Sequence, residues 1–269
     1  MTGEAIDRRR SRGDVGSRPT AAGGWRGLAW RQYRLERKMF WRNPSAAFFG
    51  FVLPIVFLLI IGSLTPASDR DIIIPGIAGM NVMASTFNAI AMNMTFRREQ
   101  GLLKRMRGTP MPTGAYLGGI FGNVALNGSL QVAIVVFGGA AIFGLPMPYH
   151  WNELIIFTIV GIFSFTALGI AFSHVIPNFD AAPAYTNFVF IPSILLGGVF
   201  FDPATTSSAV LDDIARVLPI SHFIAGIRGA LQPDGGLSHH VGDLTVLALW
   251  GLFGLYFAIR GFSWDQRRA

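Results

Sequence analysis

The sequence predicts an all-α polytopic membrane protein. Its expected parts are six transmembrane helices, an amphipathic helix ahead of the first, a short basic helix between the second and third, and a re-entrant outer helix pair before the last. Three observations predict it. Hydrophobic residues make up 51% of the chain and charged residues 14%, with a mean hydropathy of +0.46, whereas a soluble domain carries about 25% charged residues. Six long apolar segments follow one another with polar breaks between them. The cations are gathered at a few of those breaks and not spread along the chain.

The first 24 residues are polar and rich in Arg, Gly and Ser, and read as a disordered cytoplasmic tail. They do not read as a signal peptide, because no apolar core follows the arginines at the usual distance. Trp25 to Arg42 is different. At 100° per residue, Trp25, Leu28, Ala29, Tyr33, Leu35, Met39 and Phe40 share one arc, and Arg26, Arg31, Arg34, Arg37, Lys38 and Arg42 share the other. That is the pattern of a helix in the membrane surface with its basic side towards anionic lipid. Glu36 falls inside the apolar arc. It either snorkels or pairs with a cation from elsewhere, for instance one in the basic island described below. Asn43-Pro44 ends the helix.

The apolar segments are placed at Ala46–Leu64, Ile72–Met94, Ala115–Phe143, Leu154–Val175, Ala184–Phe201 and Leu244–Ile259. Each approaches or exceeds the roughly 20 residues that cross a bilayer. The third is long enough to tilt or to project. With the amino terminus inside, the inner segments hold eleven cations ahead of the first span, five in the island, none in Pro177–Asp180 and three in the carboxyl end. Only Arg70, Arg216 and Arg228 fall outside. This bias predicts a multi-pass plasma-membrane protein with both termini cytoplasmic. The formal net charge of +7 is thus a topology signal and not a nucleic-acid footprint.

The island runs from Phe96 to Pro112. Arg97, Arg98, Lys104, Arg105 and Arg107 stand against the single acid Glu99. Wound as a helix, Leu102, Leu103 and Met106 share one face, and Gly108, Thr109 and Pro110 break it. Such a helix can press its apolar face on a soluble partner. The plainer alternative is a basic loop that only sets topology.

The segment from Phe201 to Asp243 carries two short amphipathic repeats. Val210, Leu211, Ile214, Val217 and Leu218 form one, and Ile220, Phe223, Ile224, Ile227 and Leu231 the other. Both are below spanning length. A hairpin dipping into the outer leaflet covers their apolar faces, as does a helix pair packed on the spans.

Little in the chain points to catalysis. There is no cysteine, hence no disulfide, thiolate or Cys-ligated metal. Glu153, Asp180, Asp202 and Asp243 sit at or beyond the span ends, unlike the mid-membrane acids of ion-coupled carriers. His239-His240 is a weak metal candidate without cysteine or nearby acids. No metal ligand set and no catalytic residue is assigned. No Walker-type phosphate loop occurs, so ATP hydrolysis by that route is excluded. Polar uncharged residues do lie within spans: Asn81 and Asn88 in the second, and Asn123, Asn127 and Gln131 at i, i+4, i+8 in the third. They either glue helices together or line a substrate path. Gly118, Gly119 and Gly122 in the third span permit close packing and favour the first role.

Arg98, Glu99, Gly101, Leu103, Arg105, Thr109 and Pro110 follow the R-E-x-G-x-L-x-R-x-x-x-T-P pattern of the first cytoplasmic loop in ABC exporter permeases of the second type. Asn43-Pro44 with Leu53-Pro54 resembles that family's approach to its first span. Leu218-Pro219-Ile220-Ser221-His222-Phe223 with Arg228 resembles its block before the last. The three blocks come in the family's order, and the resemblance covers most of the chain from Trp25 onward, in an actinobacterial drug-exporter flavour. Lys104 departs from the pattern, where many members carry Glu.

The resemblance implies a transmembrane domain over residues 25–269. Trp25–Arg42, with Glu36 and Arg37, would be a connecting helix. The island would be a coupling helix, its contact residues being Arg98, Glu99, Gly101, Leu102, Leu103, Arg105 and Met106. Two copies of a cytoplasmic ATPase subunit would bind ATP and Mg, and a second permease copy or a paralogue would complete the pore. No cofactor would bind this chain. Phe200, Phe201, Phe223 and Arg228 would form an outer gate. The expected cargo is a lipophilic drug, a lipid or a glycan-type substrate. The alternatives are a lipid-handling membrane enzyme and a non-transporting assembly subunit.

Overall fold

The computed structural model describes residues 24–102, 112–201 and 209–261. Among them every regular element is helical. In chain order these are α1 (Trp25–Arg42), α2 (Pro44–Leu64), α3 (Ala67–Glu99), α4 (Thr113–Phe143), α5 (Trp151–Ser173), α6 (Ala182–Leu196), α7 (Ala209–Val217), α8 (Pro219–Ala230) and α9 (Val241–Gly261). The amino-terminal tail, the residues from Leu103 to Met111, residues 202–208 and the last eight residues lie outside the described part.

Five helices are long and apolar enough to cross a membrane: α2, α3, α4, α5 and α9. The sixth expected span is shorter than the sequence suggests. Its helix, α6, has 15 residues, or about 22 Å against a hydrocarbon core of about 30 Å. It stops at Leu196 because Gly197 and Gly198 turn the chain there. Gly198 has φ of +80°, and a Cβ on Gly197 would lie 2.3 Å from Ile220. The chain then runs on to Val199, whose carbonyl occupies the space a Cβ at Gly76 would need.

The two ends of the bundle differ. At one end lie the last turn of α3, the start of α4, the 174–181 loop and the end of α9, where Gly261 touches His174. This is the basic end. At the other, Arg70 stacks 4.9 Å from the Phe143 ring and donates to Gly62 O and Thr65 O. There Tyr149 and His150 also donate backbone bonds to Ala230 O. This is the hairpin end.

Small residues set the packing. The α9 stripe Leu247, Gly251, Gly254 and Ala258 is buried on α5, where Gly251 meets Ser164 and Gly254 meets the Leu168 backbone. Ser164 Oγ also donates to Leu247 O at 2.8 Å. The glycine row of α4 receives α1 and not another span. Gly118 faces Ala29, Gly119 faces Gln32 and Gly122 faces Tyr33. Helix α1 therefore runs alongside the first half of α4 in the same chain direction. Its buried residues are Gln32 and Glu36, while Trp25, Trp30, Leu35, Met39 and Trp41 are exposed.

Helix α8 is the buried half of the hairpin. Ile220, Phe223, Ile224 and Ile227 are almost inaccessible. Phe223 lies over Gly161 and 5.7 Å from the Phe165 ring. Gly161 is ten residues into α5, about 15 Å below its start. The hairpin therefore reaches deep between the spans. Its partner α7 leaves Val210 and Val217 exposed.

Replacing Gly161 by Val places carbons where the Phe223 ring now sits, since even a Cβ would come within 2.2 Å. We expect a loss of about 3 kcal/mol, the upper range for overpacking, read as a lower unfolding midpoint of the purified chain. Adding Phe223→Leu should recover part of it. An unchanged midpoint in Gly161→Val contradicts this packing.

Candidate functional site

The last turn of α3 forms the base of the island and faces three ways at once. Arg97 binds Glu36 of α1 through two parallel contacts, Nη1 to Oε1 and Nη2 to Oε2, each 2.7 Å. Nη1 also donates to the hydroxyl of the buried Tyr116 in α4, at 3.0 Å. Gln32 Nε2, one turn earlier on α1, donates to Glu36 Oε1 at 2.7 Å. Glu36 is only 7% exposed. Of the two fates open to it, the structure shows the ion pair with an island cation.

Arg98 is also buried and turns to the opposite side. It donates from Nη1 to Ser173 O at 2.9 Å and from Nη2 to Ile176 O. The first of these carbonyls ends α5 and the second lies in the loop just after it, where helix acceptors lack intrahelical partners and the dipole favours a cation. Glu99 Oε1 accepts from Phe179 N at 2.8 Å, and the Phe96 and Phe179 rings meet edge-on. The turn then closes at Gly101, whose φ of +65° suits glycine. Leu102 is exposed. Leu103, Arg105 and Met106 lie outside the described residues.

The in-span amides are distributed unequally. Asn127 Oδ1 accepts from Arg37 Nη1 at 2.6 Å, tying α4 to α1. Gln131 joins three helices. Its Nε2 donates to Gly50 O at 2.8 Å, and its Oε1 accepts from Ser85 Oγ at 2.7 Å. Both partners lie in π-helical turns, Phe48–Val52 and Ala84–Asn88. In the second of these, Ser85 and Thr86 also bond Val82 O, a back-bonding that bends helices. Asn81 bonds its own helix at Ile77 O. Asn88 reaches Asn187 of α6 at 3.4 Å. Asn123 Oδ1 is buried without a hydrogen bond among the described residues.

At the hairpin end, Phe223 belongs to the core, while Phe200 is 39% exposed and Phe201 half-buried. Arg228 lines a cleft with Asp212, Arg216, Ser221, His222 and Asp243, and its Nη2 lies 3.5 Å from Ile72 O. Sequence reasoning left two histidine–carboxylate contacts unpaired. His240 Nδ1 stands 2.7 Å from Glu153 Oε1, and Glu153 is fully buried in the first turn of α5. His222 Nδ1 lies 2.6 Å from Asp243 Oδ1, with its Nε2 2.8 Å from Arg216 O. The signal for Glu36 was an acid in an apolar arc. The histidine contacts had no such signal, because their partners are 21 and 87 residues away.

The family profile described as ABC-2 type transporter matches residues 25–231. The chain belongs to the ABC-2 type transporter family. It is also 25% identical over 167 residues to the probable multidrug ABC transporter permease YbhS of Escherichia coli (strain K12), and equally to that of Escherichia coli O157:H7. Those matches cover 60% of this chain and 43% of each relative, so the chain spans less than half the length of the curated relatives it matches. For this ABC-2 member, membership and the five long apolar helices together describe a multi-pass membrane subunit of a transporter.

Two expectations follow from the geometry. Removing one side of the Glu36–Arg97 pair strands the other charge, which costs about 3–5 kcal/mol for a buried pair. Glu36→Leu or Arg97→Met alone should therefore lower the unfolding midpoint more than the two together. Equal or additive losses would show that the pair is not coupled.

The second concerns pH. Burial lowers the His222 pKa, but the Asp243 hydrogen bond, the Arg216 carbonyl and the Asp243 charge outweigh it and leave the imidazole above its ordinary value. The folded pKa exceeds the unfolded one. The contact's stabilisation is therefore complete below about pH 6.5 and is lost as pH rises through the raised folded value. In His222→Gln the unfolding midpoint should vary less across that window. The same slope in both proteins contradicts this.

Proposed function

We propose that this chain is the transmembrane permease of an ATP-driven exporter that moves a lipophilic drug, lipid or glycan-type substrate out of the cytoplasm or the inner leaflet. One observation carries the reading. The turn at the base of the island is anchored to four segments by three consecutive side chains: Arg97 to α1 and α4, Arg98 to the end of α5, and Glu99 to the loop after it. A helix end held this way would pass a push on it to several helices together. A coupling element has that requirement, because a two-state change must be biased from a distance.

In this reading the basic end is cytoplasmic, and so are both termini. The short α6 with the turn after it makes the sixth crossing. Two copies of an ATPase subunit, binding ATP and Mg, couple to Arg98, Glu99, Gly101, Leu102, Leu103, Arg105 and Met106. A second permease copy or a paralogue faces this one. The chain itself is not an enzyme. Glu36 and Arg37 serve the connecting helix α1, and Phe200, Phe201, Phe223 and Arg228 form the outer gate. The relatives named as probable multidrug permeases support a lipophilic cargo.

Leu103→Asp and Met106→Asp should uncouple transport while leaving insertion intact, since in this reading both belong to a cytoplasmic contact and not to a span. A carboxylate buried at an apolar contact costs more than 1.4 kcal/mol, so substrate-stimulated ATPase activity of the reconstituted complex should fall at least about tenfold. Unchanged stimulation with unchanged export in both variants would sink the coupling assignment.

A further inference from the structure

The transport reading uses the buried side of α1 and leaves its outer side without a role. The sequence expects this helix to lie in the membrane surface with its apolar arc towards lipid. In the fold much of that arc is spent on protein, Ala29 and Tyr33 on the α4 glycines and Phe40 on Gly50 of α2. Helices α1 and α2 also follow α4 one after the other in the same direction. Gln32 meets Gly119, Arg37 meets Asn127, Gly50 meets Gln131 and Leu58 meets Gly138. Helix α1 therefore leads into the span α2 from outside and does not lie across its foot.

This arrangement puts a row of cations at the mouth of α2. Arg34, Lys38 and Arg42 follow one another at i, i+4, i+8 and are exposed. None makes a side-chain ion pair or hydrogen bond among the described residues. The only acid of α1, Glu36, is buried on the opposite side and bound to Arg97. At 1.5 Å per residue, Arg42 and Lys38 lie at most about 3 and 9 Å ahead of Pro44, the first residue of α2. A headgroup layer is about 5–8 Å thick on each face of a bilayer, so both ammonium and guanidinium reach it. Arg34 lies a further turn out, about 15 Å from Pro44.

Apolar surface accompanies the inner two cations. Met39 and Trp41 stand on either side of them and are about half exposed. The Trp41 ring stacks on Phe51 of α2 at 5.9 Å, and the Arg37 guanidinium lies 5.6 Å from the same Trp41 ring. The exposed flank of α2 begins just beyond, with Phe48, Phe49 and Val52. A soluble anion would meet the charges but leave this apolar surface in water. A phospholipid covers both in one molecule, and basic clusters beside a span with Trp at the same level are how proteins hold an anionic leaflet.

We infer that the junction of α1 and α2 is a binding site for an anionic phospholipid, its phosphate between Lys38 and Arg42 and its acyl chains along the exposed flank of α2. The inference stands apart from the transport reading, because binding needs neither nucleotide nor an ATPase partner.

The test is tryptophan quenching of the purified full chain in phosphatidylcholine vesicles. The quencher is phosphatidylglycerol brominated on the upper acyl chain, added in rising share, with equally brominated phosphatidylcholine as the zwitterionic comparison. The difference between the parent and Trp41→Phe isolates the Trp41 emission. That emission should be half quenched at a share of phosphatidylglycerol at least about tenfold lower than of phosphatidylcholine. Lys38→Gln and Arg42→Gln should each reduce the preference about fivefold, the weight of one surface cation, whereas Arg34→Gln should change it less than about twofold. Raising salt from about 0.05 to about 0.5 M should cut the parent's preference severalfold, and this series decides by itself if a variant does not fold. Equal quenching by the two lipids overturns the inference. So does a preference that salt or both inner substitutions leave unchanged, and so does an Arg34→Gln effect as large as theirs, which would mean a diffuse charge without a site.

Discussion

The buried pair between Glu36 and Arg97 is the contact on which the basic end of this molecule depends. Burying two charges is expensive unless each has its full set of partners. Here Arg97 meets the carboxylate with two parallel bonds, Tyr116 takes a further donor, and Gln32 adds another hydrogen bond to the acid. Three helices that are distant in sequence are thereby required to meet at one point. Helix α1 can sit against α4 only if Glu36 is neutralised there. The glycines at 118, 119 and 122 then let it approach closely enough for the pair to form. Close packing and charge compensation are two sides of one arrangement.

The rest of the bundle uses the same economy at the opposite end. Glycines at 161, 226 and 79 accept the aromatic and aliphatic side chains of the hairpin and its neighbours, so that α8 enters between the spans. In an apolar surrounding there is no hydrophobic gain from helix contact as such, and small residues that admit dense packing do that work instead. Several in-span polar groups are spent on another helix. Gln131 is the clearest instance, since it satisfies the open backbone of one π-turn and the hydroxyl of another. Such turns are common at functional positions, and here both face the same amide.

The exporter reading and the geometry meet at the island. The base of the island is tied to α1 and α4 through Arg97, to the end of α5 through Arg98 and to the following loop through Glu99. The far end of α5 carries Glu153 against His240, and the hairpin is packed along the same helix. A displacement of α5 therefore acts at both ends of the molecule, because its interior contacts are tight and do not deform smoothly.

Much of this was legible in the residues alone. The apolar lengths, the amphipathic α1, the paired short helices before the last span and the gathering of cations follow from hydropathy and helical period, which are local properties. The oddity of Glu36 was visible too, as an acid in an apolar arc. Its partner was not, because 61 residues separate it from Arg97 and nothing local distinguishes Arg97 from Arg98 next to it. Position on the helix decides between them: neighbouring residues point about 100° apart, so one arginine turns to α1 and the other to the end of α5. The sixth span was read too long for a similar reason, since apolar composition continues past Leu196 while the backbone turns at Gly197–Gly198 against Ile220. By itself the sequence determined the five long apolar helices and pointed to the family, because those depend on neighbours along the chain. Only the tertiary structure decided which charges pair, which glycine row seats which helix and where a cleft remains open, because those depend on residues that meet only once the chain is folded.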